Sequence, residues 1–407
     1  MAYTQFVVPR DVFHGPGALQ SLTGIPGQRF LVVTDPGVRN SGTLERVLTL
    51  LKSKSADVSV FDGVQHDPSK AVVRSIFSLA NDFKPDVFVG LGGGSSMDAG
   101  KVGWVFYEHP DLATLPIGQV TSELARRRLR QKARYVAIAT SSGTGSEATR
   151  AAVVTNEDED PPYKAVVMSP QIIPDVAIVD AELAASMPPD VTANTGFDAL
   201  VHAVECFLLT APSQLTDPLA IGAARTIIEW LPKAVADGKN TLARERMHVA
   251  SFEAGMAFSN GRLGLVHGLA HQIGAGFSMP HGRANAFMLL PVFAFLRPAY
   301  KERFSELASA LGIQGADEVD RANKLLRRFA ELKEQVGIPA GIKESGLGED
   351  AFMSLVGAIS EGYVNHWQPA IAQMTPDARR AAGMPGSLDE VKQLFMYAWS
   401  GTMPEIS

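Results

Sequence analysis

The chain has a single cysteine, Cys206, so no intramolecular disulfide can form and a reducing compartment is expected. No stretch reaches the roughly 18 uninterrupted apolar residues of a membrane helix. The opening Met1-Ala-Tyr-Thr-Gln-Phe-Val-Val-Pro also lacks the basic and apolar segments of an export signal. A soluble, cytoplasmic protein with no membrane partner is the expectation. Positive charge is scarce as well: 37 Lys and Arg against 43 Asp and Glu leave a formal charge of −6 and a pI near 5.9. That balance argues against nucleic acid as a partner. Repeats and low-complexity linkers are missing too. What is present, 46% hydrophobic and 20% charged residues over 407 positions, suits a two-domain enzyme.

The first half alternates β-branched runs with helical stretches. Candidate strands are Phe30–Thr34, Val58–Phe61, Asp86–Gly90, Tyr135–Ala139, Ala151–Thr155 and Val176–Val179, with amphipathic segments Gly42–Ser53 and Ser69–Phe83 between the first three. This repetition predicts an α/β domain over residues 1–185, a parallel sheet that binds ligands at the carboxyl ends of its strands. Met187-Pro-Pro-Asp190 then breaks the pattern. Helical stretches from Ala193–Leu209 through Ala351–Gly362 to Leu388–Trp399 follow with no strand among them, which predicts an all-helical domain over 186–407.

Two loops in the first domain have the chemistry of a dinucleotide site. Asp86–Gly90 runs into Leu91-Gly92-Gly93-Gly94-Ser95-Ser96-Met97-Asp98 and a helix start. Consecutive glycines let backbone N–H groups approach a ligand, Ser95 and Ser96 are candidate N-caps, and a helix terminus favours pyrophosphate. No acidic residue stands some 20 positions downstream, as a standard fingerprint requires. Asp35 at the end of the first strand is the candidate instead. It could accept the ribose hydroxyls of NAD(H) and repel the 2′-phosphate of NADP(H), or simply cap the turn at Pro36-Gly37. The second loop, Thr140-Ser141-Ser142-Gly143-Thr144-Gly145-Ser146-Glu147-Ala148-Thr149, offers hydroxyls to a nicotinamide, ribose or phosphate.

In the second domain Asp198-x-x-x-His202 and His267-x-x-x-His271 each place two side chains on one helix face, and His281 follows inside Pro280-His281-Gly282-Arg283. A carboxylate with imidazoles suits a first-row divalent ion better than magnesium or calcium. Both pairs sit among apolar residues, where an unpaired charge costs several kcal/mol. Cys206, on the same predicted helix as His202, reads as core packing. A basic run from Arg126 to Arg134 reads as a solvated surface. It could alternatively place Arg126 or Arg130 over the site as a clamp for an anionic substrate group, or, in a remote reading, contact nucleic acid.

The glycine loop Gly92 to Asp98, the Ser142–Glu147 loop, Gly196-x-Asp198-Ala-x-x-His202-Ala, and Gly264-Leu-Val-His267-Gly-x-Ala-His271 followed by Pro280-His281-Gly282 resemble, in order, the iron-containing (group III) alcohol dehydrogenases. The resemblance spans nearly the whole chain. It implies a dehydroquinate-synthase-like architecture with the active site between a nucleotide-binding and a helical domain. It also implies Asp198, His202, His267 and His281 as ligands of Fe2+, with Zn2+ the alternative, and His271 near the substrate as a catalytic proton relay. Cofactor contacts, to NAD(H) or NADP(H), are implied at Asp35, Gly93, Gly94, Ser95, Asp98, Thr140, Ser141, Thr144, Thr149 and Lys164, with Asp67 and Leu183 on the adenosine side. The expected reaction is hydride transfer between nicotinamide and a small primary alcohol or aldehyde, and the expected assembly a homodimer. A zinc-dependent polyol or sugar-phosphate dehydrogenase is the alternative. Two departures bear on substrate. Ser142 adds a hydroxyl beside the expected nicotinamide position, and the family's Asn-Pro-Arg turn becomes Asn365-His-Trp-Gln-Pro extending to Gly386. They put the usual small neutral alcohols in doubt, and if the basic run reaches the site an aldehyde bearing an anionic group, phosphonoacetaldehyde for example, is a candidate substrate, with Ser142, Arg126 and Arg130 as candidate contacts.

Overall fold

The computed structural model describes residues 5–158, 163–277, 279–359 and 384–402. The strands are β1 (Asp11–His14), β2 (Arg29–Val33), β3 (Asp57–Phe61), β4 (Val87–Gly92), β5 (Arg134–Ala139), β6 (Ala151–Asn156), β7 (Tyr163–Met168) and β8 (Val176–Val179). The helices are α1 (Pro36–Asn40), α2 (Thr43–Ser53), α3 (Lys70–Phe83), α4 (Gly94–Glu108), α5 (Ile117–Leu124), α6 (Pro189–Leu209), α7 (Thr216–Ala236), α8 (Thr241–Asn260), α9 (Leu265–Phe277), α10 (His281–Leu296), α11 (Lys301–Ala310), α12 (Glu318–Gln335) and α13 (Leu388–Ser400). They form two compact units: Met1–Pro188 with Asp237–Asn260, and Pro189–Ala236 with Gly261–Ser407. No described helix is long and apolar enough to cross a membrane.

The first unit is built on a six-stranded parallel sheet in the order β1-β8-β5-β4-β2-β3. Its inner strands are apolar on both sides because each side is covered, as parallel strands require. Leu31 and Val33 of β2 pack with Phe88, Val73 and Ile76 of α3, Val102 of α4 and Val120 of α5. Phe30 and Val32 face the other way, toward Leu44, Val47 and Leu51 of α2. From β2 the chain steps outward to β3, then crosses back to place β4 on the other side of β2. The reversal opens a crevice at the carboxyl ends of β2 and β4, the place where such sheets bind ligands.

Two strands were not expected. β1 is a four-residue edge strand with largely exposed side chains. β7 pairs antiparallel with β6 in a separate two-stranded sheet, so the Ala151 segment leaves the parallel sheet it was expected to join. Alternate residues of β6 are buried, the pattern of a strand covered on one face. The chain division also differs from a single break near 185, because α8 belongs to the first unit. Polar side chains hold it there. Asn260 Oδ1 accepts from Val7 N at 2.6 Å, and Ser259 Oγ accepts from Arg150 N at 3.0 Å.

The second unit is helical throughout, with no strand among its described residues. Its central helix, α6, is buried along nearly all of Thr192–Leu208 and packs on α7 and α10. α10 also touches α9 and α13.

In the first unit, Lys101 on α4 is fully buried. Its ammonium donates to the carbonyls of Ser146 at 2.7 Å, Ala151 at 2.9 Å and Thr149 at 3.0 Å, which ties the second loop and β6 to α4. Burial lowers this amine to about 8, against the pull of Asp98 and Glu147. Burial likewise pushes the Glu147 carboxyl up to about 7 from 4.5. A carboxyl raised on folding contributes stability that is full below 4.5 and lost as pH rises through about 7. The wild type should therefore lose stability across that window. Glu147→Gln should flatten the loss by about 1–3 kcal/mol, read by urea unfolding at pH 4.5 and pH 8.

Candidate functional site

The first unit brings the two predicted loops together at the sheet's crevice. Gly92 ends β4 with φ +148°, where a Cβ would lie 2.7 Å from Ser96 Oγ and 2.9 Å from Asp35 Oδ2. A Cβ on Gly93 would lie 3.3 Å from Ser141 Oγ, and one on Gly94 2.9 Å from the Thr144 methyl. Thr140 donates its N–H to Gly92 O at 3.0 Å. The N-cap of α4 is Gly93, with no side-chain cap, rather than Ser95 or Ser96; both serines lie inside the first turn. The leading N–H groups of a 15-residue helix thus lack a side-chain acceptor at a glycine cradle, which suits a pyrophosphate. The residues present fit a dinucleotide.

Other expected cofactor contacts are engaged by the protein itself. Asp35 caps α1, accepting Val38 N–H at 3.0 Å, while its second oxygen accepts the Ser96 hydroxyl at 2.9 Å. The cap and the crevice position coexist, since the residue stays half-buried. Asp67 and Lys164 pair with each other at 2.8 Å. Asp98 accepts from Ser146 Oγ at 2.6 Å and Val153 N at 2.8 Å, so it braces the second loop. The Thr149 hydroxyl is buried against the Lys101 ammonium at 3.1 Å. Leu183 is buried in the apolar layer that holds Val38 and Leu44.

Two of the substrate contacts expected from sequence have internal partners in the first unit. Ser142 is buried and its Oγ lies 2.9 Å from His248 Nδ1, so the added hydroxyl points into the unit. Burial lowers the His248 imidazole to about 4, despite Asp180 nearby, so the ring is neutral. Arg130 donates to Asp175 at 2.6 Å and to the carbonyls of Gln171 and Ile173, both at 2.7 Å, so all three of its nitrogens have internal partners. Arg126 is exposed just beyond α5. Most of the Asn365–Gly386 stretch lies outside the described residues.

The second unit gathers the metal motif. Asp198 and His202 stand one turn apart on α6, with His267 near the start of α9 and His281 opening α10. Asp198, His267 and His281 each offer a ligand atom within 4.8 Å of the others. His202 stacks on His267 with ring centroids 4.6 Å apart, and His271 stacks on His281 at the same distance. Asp198, His202 and His267 are buried. α10 can start beside α6 because residue 282 is glycine; any Cβ there would collide with the Asn194 carbonyl.

Electrostatics at the cluster follow from burial. Desolvation alone would raise the Asp198 carboxyl. The imidazoles of His202, His281 and His267 and the Asn285 amide outweigh it and hold the group below its usual value. Desolvation and the neighbouring His202 keep the His267 ring neutral, well below its usual value, so its free nitrogen has a lone pair to give. That nitrogen, Nε2, is buried without a hydrogen-bond partner among the described residues, 3.9 Å from Asp198 Oδ1. An orphaned imidazole nitrogen facing a carboxylate and a second imidazole fits a divalent transition ion.

Sequence reasoning missed two members of this cluster. Asn285 donates its amide to Asp198 Oδ1 at 2.7 Å and lies 3.1 Å from His281 Nε2. Glu205, fully buried on α6, meets His267 Nδ1 at 2.6 Å. Burial raises the Glu205 carboxyl to about 7, against the N–H groups of Gly264 and Val266. The i,i+3 spacing from His202 to Glu205 was the available signal for this second carboxylate.

Residues 9–181 match the family model described as iron-containing alcohol dehydrogenase, and residues 192–373 match its C-terminal counterpart. The chain belongs to the iron-containing alcohol dehydrogenase family. It is 37% identical over 405 residues to an NADPH-dependent butanol dehydrogenase from Clostridium saccharobutylicum, covering 98% of each chain. The iron-containing alcohol dehydrogenase structure from Thermococcus thioreducens superposes with a TM-score of 0.81 at 30% identity, covering 98% of this chain and 100% of that one. A sulfoacetaldehyde reductase from Bifidobacterium kashiwanohense, solved with NAD+, superposes with a TM-score of 0.79 at 26% identity, covering 98% and 100%. The protein is therefore an iron-type oxidoreductase that uses a nicotinamide cofactor, and its parallel-sheet and helical units have that family's fold.

The inward Ser142 has a direct test. Ser142→Ala leaves His248 Nδ1 without its hydroxyl and should cost about 1–2 kcal/mol in chemical unfolding. The ratio of kcat/KM for anionic over neutral aldehydes should not change.

Proposed function

We propose that the protein interconverts small primary alcohols and aldehydes. Asp198, His202, His267 and His281 hold the iron, and the glycine loop and Thr140 loop hold the nicotinamide cofactor. The observation that carries this reading is the buried convergence of Asp198, His267 and His281 within 4.8 Å, with His202 stacked alongside. When bound, the ion supplies Lewis acidity at the substrate oxygen. The chain's own residues do the rest. A set of one carboxylate, Asp198, with imidazole donors would leave net positive charge on a divalent ion held there. His271, half-buried and stacked on His281, is the group to carry a proton between substrate and solvent. The N–H groups opening α4 take the pyrophosphate, and Asp35 takes the adenosine ribose, which favours NADH over NADPH.

For substrate, small unbranched neutral aldehydes come first, because Arg130 and Ser142 are both committed to internal partners. The likeness to a sulfoacetaldehyde reductase supports a second reading, an aldehyde bearing an anionic group such as phosphonoacetaldehyde, with Arg126 the remaining candidate clamp.

Chelation should abolish turnover, and anaerobically purified protein should carry iron rather than zinc by metal analysis. Activity retained by metal-free His267→Ala overturns the ligand assignment. With NADH and size-matched aldehydes, kcat/KM should favour the neutral compound. A tenfold or greater preference for the anionic one that disappears in Arg126→Ala selects the second reading.

A further inference from the structure

We propose that Glu205 is the positioning residue that fixes His267 as its Nδ1–H tautomer and so turns the Nε2 lone pair toward Asp198 and His281. The inference rests on the metal reading above, and its first observation is geometric. Glu205 Oε2 lies 2.6 Å from His267 Nδ1 in a fully buried pair. Both oxygens of Glu205 already accept backbone N–H groups, so the side chain faces the ring as an acceptor, the shared proton sits on Nδ1 and Nε2 is left bare. That bare nitrogen is the one without a hydrogen-bond partner beside Asp198.

The second observation is how firmly the carboxylate is held. Oε1 accepts Val266 N–H at 2.8 Å, and Oε2 also accepts Gly264 N–H at 3.1 Å. Glu205 is thus pinned across the N-terminus of α9, where leading N–H groups favour a negative charge. Gly264 eases this approach, since a Cβ there would push the end of the Leu209 side chain aside and lie 3.4 Å from Glu205 Oε1. A side chain pinned on both oxygens cannot swing away, so the imidazole it holds has one orientation.

The third observation is placement. Glu205 lies one turn beyond His202 and two beyond Asp198 on α6. The helix face that supplies two candidate ligands therefore also sets the direction of a third from α9. Carboxylate partners of this kind orient a ligating histidine and make it more basic, and their loss weakens metal binding by roughly 10–100-fold.

Two measurements on the full-length chain test this. The first records 15N–1H correlations of histidine-labelled metal-free protein, with the His267 signals identified by their loss in His267→Ala. The Nδ1–H pattern is expected at His267, and an Nε2–H pattern overturns the proposal. The second titrates Zn2+ in competition with a chromophoric chelator. Glu205→Gln keeps the shape but sets an amide against either the ring or the α9 N–H groups. It should weaken Zn2+ binding by at least about tenfold while the metal-free Tm changes little. Zn2+ affinity within twofold of wild type overturns the proposal, and so does a lowered Tm with unchanged affinity, which marks a role confined to capping α9. Should Glu205→Gln not fold, the tautomer measured in the wild type decides alone. Wild-type protein that binds no metal yet shows the Nδ1–H pattern refutes the metal reading and leaves the tautomer assignment standing.

Discussion

A buried carboxylate among imidazoles inside an otherwise apolar helical unit is a large desolvation cost, and the second unit is organised around offsetting it. Asp198 keeps its charge because three histidines and the Asn285 amide surround it. His267 stays neutral because burial and its imidazole neighbours disfavour a further positive charge. Such an arrangement is poor as a device for stability alone, since buried polar clusters of this kind are commonly no better than well-packed apolar side chains. It makes sense as a receptacle for a cation, with the cost of ordering the ligands met during folding.

The first unit solves a different problem with a similar economy. A dinucleotide needs bare backbone N–H groups, and bare N–H groups are destabilising unless the loops around them are held. Here α4 opens on glycine with no side-chain cap. Lys101 on the same helix binds two carbonyls of the second loop, Ser146 and Thr149, and that of Ala151 at the start of β6. Ser142 with His248 and Asp98 with Ser146 fasten that loop at two further points. The residues that would touch cofactor are thus kept in place by neighbours that face inward.

Much of this was legible in the sequence. The alternation of apolar runs and helical stretches marked six of the eight strands among the described residues, most plainly those covered on both faces, which must be continuously apolar. β1 escaped because four edge residues, mostly exposed, carry no such signal. The metal motif was readable because i,i+4 spacing is itself geometry. Asn285 and His248 were not, because their partners lie 87 and 106 positions away in the chain, and Glu205, with its partner 62 positions away, offered only its spacing from His202. Arg130 and Ser142 show how residue type alone leaves direction open. Residue type suggested a ligand contact, but the direction of each side chain is set by Asp175 and His248, which spacing does not reveal.

The return of α8 to the first unit bears on how the molecule is made. The chain passes from one unit to the other at 188/189, 236/237 and 260/261, so the nucleotide-binding unit is discontinuous. On a ribosome its sheet can assemble early. Yet the hydroxyl of Ser142 and the backbone N–H groups of Val7 and Arg150 wait for His248, Asn260 and Ser259. Those arrive only after α6 and α7, which belong to the other unit, have already emerged. A truncation after residue 188 would remove these partners and leave the first unit without α8.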